Sequence, residues 1–174
     1  MSASGFNRIA KELISCIRVA FRDYAVPDTN SNLTLHSSTY PEYEGNKLAA
    51  FLDGKTWEAL HWDEINEKYE CDPIGSISFL TAEGFRYFLP GYASMALESF
   101  SDGGLSDALC LALTPSAGQP SSGKDFFAIR PGLSKDQCVV IIRSISFFAE
   151  VEKSHGLDDG PAMELIRVLQ PDTS

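Results

Sequence analysis

The sequence predicts an all-α fold: a single domain, residues 1–174, built as an irregular bundle of six to eight helices. Three observations point there. Apolar residues recur at steps of three and four along most of the chain. Helix-starting residues precede those runs, and Gly or Pro follows them. The 174 residues are 44% hydrophobic and 22% charged. That is the composition of an ordinary folded domain, and splitting the chain would leave two pieces with poor surface-to-volume ratios.

The elements follow in order. Phe6, Ile9, Leu13, Ile17, Ala20 and Tyr24 form one apolar stripe. Ser4 is its expected N-cap and Pro27 its expected stop. Arg8, Lys11, Arg18 and Arg22 lie on the opposite, solvated stripe. Residues 28–39 are polar and turn-rich, a loop with a short extended piece at Leu33–Leu35. A helix is expected from Pro41 to Leu52, with Leu48, Phe51 and Leu52 inward and Gly54 ending it. Thr56 is the expected N-cap of a short helix carrying Trp57 and Leu60. Trp62, Ile65 and Tyr69 then continue the helical spacing on an acidic helix that Pro73 ends.

Ile74–Leu80 reads as one turn or a brief strand. Thr81 caps the next helix, with Glu83 in its first turn, where a carboxylate suits the helix dipole. Phe85, Phe88, Leu89, Tyr92, Met95, Ala96 and Phe100 form its apolar face. Pro90 stands inside that pattern and predicts a kink or break. Gly103-Gly104 is a break, and Leu105–Leu113 a short apolar helix. Residues 114–124 form a flexible Pro/Ser/Gly-rich loop, the most linker-like stretch of the chain. Ser134 with Gln137 is a capping box. The helix it opens runs to about Lys153 and is apolar on most sides through Cys138, Ile141, Ile142, Ile145, Phe148 and Ala149. That pattern predicts a central, nearly buried helix. Pro161 starts the last helix, with Met163, Ile166 and Leu169 inward.

Composition narrows the function. The chain carries 14 Lys plus Arg against 24 Asp plus Glu, a net charge of −10. Such a field argues against non-specific nucleic-acid or anionic-membrane binding. No apolar run approaches the roughly 20 residues of a membrane helix. Lys11, Glu12 and Arg18 interrupt Ile9–Ala20, so no secretory signal is expected, and Glu12 and Asp23 disfavour a transit peptide. Cys16, Cys71, Cys110 and Cys138 form no Cys-x-x-Cys pair. Free thiols in a reducing cytoplasm are the expectation.

Motifs for chemistry are scarce. Gly54-Lys55-Thr56 resembles the end of a phosphate loop, but the required earlier glycine is Ala49. There is no Gly-x-Ser-x-Gly and no His-Glu-x-x-His. No catalytic residue, cofactor or metal site is assigned. The densest polar cluster is Glu58, His61, Asp63, Glu64, Glu67, Glu70 and Asp72. On a continuous helix Asp63, Glu67 and Glu70 would share one face. Three readings stand: a solvated face, a surface for a basic protein partner, and a metal or acid/base site joining His61 to Glu64 or Glu67. The segment Phe85–Tyr92 is dense in aromatics. A core seam explains most of it, with Arg86 and Tyr87 pointing off the core face as a contact patch. Residues 28–100 hold four basic and twelve acidic side chains, a net −8, whereas residues 1–27 are net +2.

Two strings resemble a bacterial family of small proteins of unknown function. One is Phe51-Leu52-x-Gly54-Lys55-x-Trp57-x-x-Leu60. The other is Ser78-Phe79-Leu80-Thr81-x-Glu83-x-Phe85-Arg86-Tyr87-Phe88-Leu89-Pro90-x-Tyr92. The resemblance covers about a quarter of the chain. It does not visibly extend beyond Ser101. It implies a bacterial, cytosolic, α-rich protein and carries no activity or site residue with it.

The leading expectation is an acidic protein-binding module. It would be an immunity or antitoxin-type inhibitor that masks a basic toxin or effector, through Glu58, Asp63, Glu64, Glu67, Glu70, Asp72, Arg86 and Tyr87. The alternatives are a small enzyme with a dispersed His/Glu site, with or without a metal, and a homo-oligomer paired through the Tyr87–Tyr92 patch.

Overall fold

A computed structural model describes residues 3–25, 27, 32–40, 43–102, 104–115 and 123–169. Among them are eight α-helices: α1 (Ala3–Ala20), α2 (Glu44–Leu52), α3 (Trp62–Lys68), α4 (Ala82–Glu98), α5 (Gly104–Leu113), α6 (Phe126–Ile129), α7 (Lys135–Ser154) and α8 (Pro161–Leu169). Three 3-10 turns, Trp57–Ala59, Gly75–Phe79 and Arg130–Gly132, connect them. The fold is all-α, as the periodicity predicts.

The hub is α4. Thirteen of its seventeen residues are buried. The helices α1, α5 and α7 and the Trp57 turn all pack on it, and α8 closes against α5 and α7. A helix apolar on every side loses least free energy when other helices surround it. Its N-cap is the expected one: the Thr81 hydroxyl accepts from the Gly84 amide at 3.0 Å. Gly84 has no alternative at this position. A Cβ there would overlap the Leu33 carbonyl, which the 32–35 segment lays against the helix. The expected extended piece at Leu33–Leu35 is real but minimal, an isolated bridge between Thr34 and Leu80.

Pro90 does not break α4. The helix runs through it from Ala82 to Glu98. Proline removes the amide that would bond the carbonyl of Arg86, four residues earlier. The Tyr24 hydroxyl donates to that carbonyl instead, at 3.3 Å. A tertiary partner thus supplies what the proline withholds.

Other boundaries shift for similar reasons. Ser4 lies inside α1, and the helix ends at Ala20, well before Pro27. Phe21, immediately after it, is fully buried and meets Trp57 edge-on at 6.0 Å. Phe6, Phe100 and Phe147 pack as a second aromatic group, with Phe6 and Phe147 5.8 Å apart. The capping box of α7 is complete: Gln137 N donates to Ser134 Oγ at 3.2 Å, and Ser134 N to Gln137 Oε1 at 2.8 Å. In α8 the fully buried residues are Ala162 and Leu165, while Met163, Ile166 and Leu169 are half-buried. The buried Glu152 fixes this register. Its two carboxylate oxygens accept the Ala162 and Met163 amides at 2.9 and 3.0 Å, capping α8 from α7.

The four cysteines are free, with Cys110 buried and the others half-buried. Most of the 114–124 loop, residues 116–122, lies outside the described residues. At its far end Lys124 Nζ donates to the Ile77 and Ser78 carbonyls at 3.2 and 3.1 Å. Among the described residues no helix is long and apolar enough to cross a membrane.

Candidate functional site

The acidic cluster occupies the Trp57–Ala59 turn, α3 and the turn that follows. Buried anchors hold this surface to the hub. Gly54, at φ +69°, turns the chain after α2. Trp57 and Leu60 then insert beneath the surface. Gly91 lets them approach α4 closely, since a Cβ there would stand 2.7 Å from the Trp57 carbonyl. Ile65 and Tyr69 hold α3 itself.

The start of α3 is capped from a distance. His61, its N-cap residue, makes no side-chain cap. Glu98, at the end of α4, does that work: its Oε2 accepts the Trp62 amide at 3.0 Å. Its Oε1 lies 3.5 Å from His61 Nδ1. A carboxylate at a helix N-terminus offsets the exposed amides and the dipole together.

The six predicted carboxylates divide into two groups. Glu64 is occupied. Its Oε1 accepts from Lys55 at 2.9 Å and Lys68 at 3.3 Å. Those hydrogen bonds hold its carboxyl below the usual range. Glu70 lies 3.8 Å from Lys47. Asp72 caps the Gly75–Phe79 turn, accepting from Ile74 N at 3.0 Å and Gly75 N at 3.2 Å. Glu58, Asp63 and Glu67 are exposed, with no hydrogen-bond or ion-pair partner among the described residues. Asp63 and Glu67 stand one turn apart on the same side of α3.

Four expectations are corrected here. The Asp63, Glu67 and Glu70 stripe is broken, because α3 ends at Lys68 and Glu70 lies beyond it. His61 does not join Glu64 or Glu67; it faces Glu98, and Glu64 belongs to the two lysines. Among the described residues no group of three or more His, Cys, Asp or Glu side chains is arranged to hold a metal ion. Tyr87 is no contact residue. It is 3% exposed, stacked on Tyr24 at 6.3 Å and edge-on to Phe88 at 4.8 Å. Its hydroxyl is buried with no well-formed hydrogen bond among the described residues, and burial raises its pKa. Tyr92 is wholly buried too, its hydroxyl 2.8 Å from Ser76 Oγ. The Tyr87–Tyr92 segment therefore presents no aromatic patch for pairing; only Arg86 stays exposed. The reason is the hub position of α4, which covers positions that helical spacing alone places outside.

Sequence reasoning missed Glu98 and Lys55. Both reach the cluster from other elements, at separations no local pattern reveals. With the geometry in view, the chain can be set against known families. A model of a family of unknown function, DUF6714, matches residues 9–165, and the chain belongs to that family. The match continues well past Ser101, where the resemblance in the sequence had stopped. No curated protein and no solved structure matches the chain.

Proposed function

We propose that this DUF6714 protein acts by binding, not by catalysis, and that its partner is a basic protein engaged through Glu58, Asp63 and Glu67. One observation carries the reading: these three carboxylates stand in solvent without internal partners among the described residues, on a surface fixed to the core by Trp57, Leu60, Ile65 and Tyr69. A charged side chain that no intramolecular bond holds is available for association. A rigid base spares the entropy of ordering it on contact. Clustered carboxylates also steer a cationic partner and raise its association rate.

Glu64, Glu70 and Asp72 contribute field rather than contacts, since each already serves the fold. Arg86 stands outside this acidic surface. The biological setting that fits is a bacterial cytoplasm, with the protein as an immunity or antitoxin-type inhibitor that masks a basic effector.

The test is a comparison of wild type with the Glu58→Lys, Asp63→Lys, Glu67→Lys variant. Both are immobilised, challenged with lysate of the source cell, and the retained proteins are identified by mass spectrometry. Basic proteins retained by wild type and lost on the variant are expected, with affinity that falls as salt rises. An identical retained set on both would overturn the reading.

A further inference from the structure

A second face of the molecule has the opposite character. Two grooves run along α7, one on each side of Val139. The first has a volume of about 490 Å³ and lies between α1 and α7, with Cys16, Val19 and Ala20 on one wall and Val139 and Val140 on the other. The second, about 420 Å³, lies between α7, the segment around α6 and the end of α8, and holds Phe127, Leu133, Cys138, Ile142 and Leu169. Val139 lines both, so ridge and grooves form one surface. Val19 is 65% exposed, Phe127 47% and Val139 46%. Large apolar side chains gathered around adjoining concavities mark an interaction site more often than chance exposure does.

The charges around this saddle run against the chain. Among the described residues, the charged side chains lining the second groove are Arg130 and Lys135; the first adds Arg143 and a single carboxylate, Asp136. Three cations face one anion in a protein of net charge −10. None of the three cations has an ion-pair partner among the described residues. Arg130 and Cys138 line the same groove, where burial raises the Cys138 thiol's pKa and the Arg130 guanidinium partly lowers it.

We propose that the Val139 saddle docks an acidic amphipathic helix of a partner protein, its apolar side chains astride Val139 and its carboxylates against Arg130, Lys135 and Arg143. A helix suits two grooves flanking a ridge, because its own rows of side chains interdigitate with such a surface. Among the described residues the acidic helix α3 of a second copy is a poor match: it has Ile65 buried, so it offers carboxylates without an exposed apolar ridge. This face and its partner are separate from the acidic surface above.

The test uses a displayed library of random 16-residue peptides. Selection is on the full chain, with counter-selection on Val139→Asp. Val139 is half in solvent, so that variant should fold, and an unchanged thermal melt verifies it. Enriched peptides are expected to carry Leu, Ile or Phe at helical spacing with Asp or Glu between. They should bind at least tenfold more weakly to Val139→Asp and to Arg130→Glu with Lys135→Glu. They should bind equally well to the Glu58, Asp63, Glu67 reversal. No enrichment over the counter-target, or enrichment of basic peptides, overturns the proposal. So does a dimer in sedimentation that Val139→Asp dissolves, since a second copy would then cover the face.

Discussion

The adjoining helices α3 and α4 make opposite use of their side chains. Of seven residues, α3 buries one, Ile65, and leaves Asp63 and Glu67 in solvent. Of seventeen, α4 buries thirteen, Tyr87 and Tyr92 among them. Both segments looked like contact surfaces by residue type, one for charge and one for its aromatics. Position in the bundle separates them. A short helix with one anchored side keeps its chemistry outside. A helix surrounded by others hides even a tyrosine, Tyr87, that spacing alone would expose.

That contrast can be broken by mutation. The largest effect should come from the hub. Phe88→Ala should destabilise the fold by about 4 kcal/mol, read as a lower urea midpoint, because Phe88 is almost wholly buried. Gly84→Ala should follow, at about 3 kcal/mol. Its Cβ meets backbone, the Leu33 carbonyl, which cannot yield as a flexible side chain would. An Asp63→Ala change on α3 should leave the midpoint unmoved. A cost for Asp63→Ala like that of Phe88→Ala would erase the distinction between the two helices.

A smaller effect belongs to the N-cap. Thr81→Ala should cost about 1 kcal/mol, since the Gly84 amide loses its acceptor, and Thr81→Ser should restore most of it. Smaller still is the Lys55–Glu64–Lys68 clamp. Glu64→Gln should lower stability by roughly 0.5 kcal/mol near neutral pH. The sign with pH follows from the depressed Glu64 carboxyl. Its contribution is complete above the ordinary value of 4.5 and is lost as pH falls through Glu64's own, lower value. Melts of wild type and Glu64→Gln should therefore converge in acid. A gap that widens there would contradict the assignment.

Some local signals in the sequence were faithful and some were not: Ser4, read as an N-cap, lies inside α1. Ser134 with Gln137 and Thr81 each fixed a helix start because the interaction spans three residues. Gly54 marked the turn after α2 because only its φ sign mattered. What else failed depended on distant partners. Pro90 reads as a break until Tyr24 reaches the carbonyl it strands. His61 reads as a neighbour of Glu64 until Glu98 arrives from the end of α4. Val139 lies on α7, whose pattern reads as a nearly buried helix. Yet no described element covers it, and the saddle is invisible until α1, α6 and α7 are assembled. The carboxylates themselves were plain in the sequence. Which of them the fold consumes was not, since Lys47, Lys55 and two turn amides decide it.

The central claim is that Glu58, Asp63 and Glu67 serve association and not the fold. The most direct measurement is a paired one on the Glu58→Lys, Asp63→Lys, Glu67→Lys variant: its thermal melt, and its affinity for the basic partner that wild type retains, across a salt series. An unchanged melt is predicted, with affinity down at least tenfold and a flatter salt dependence. A variant that melts like wild type and binds with the same affinity and salt slope would contradict the account.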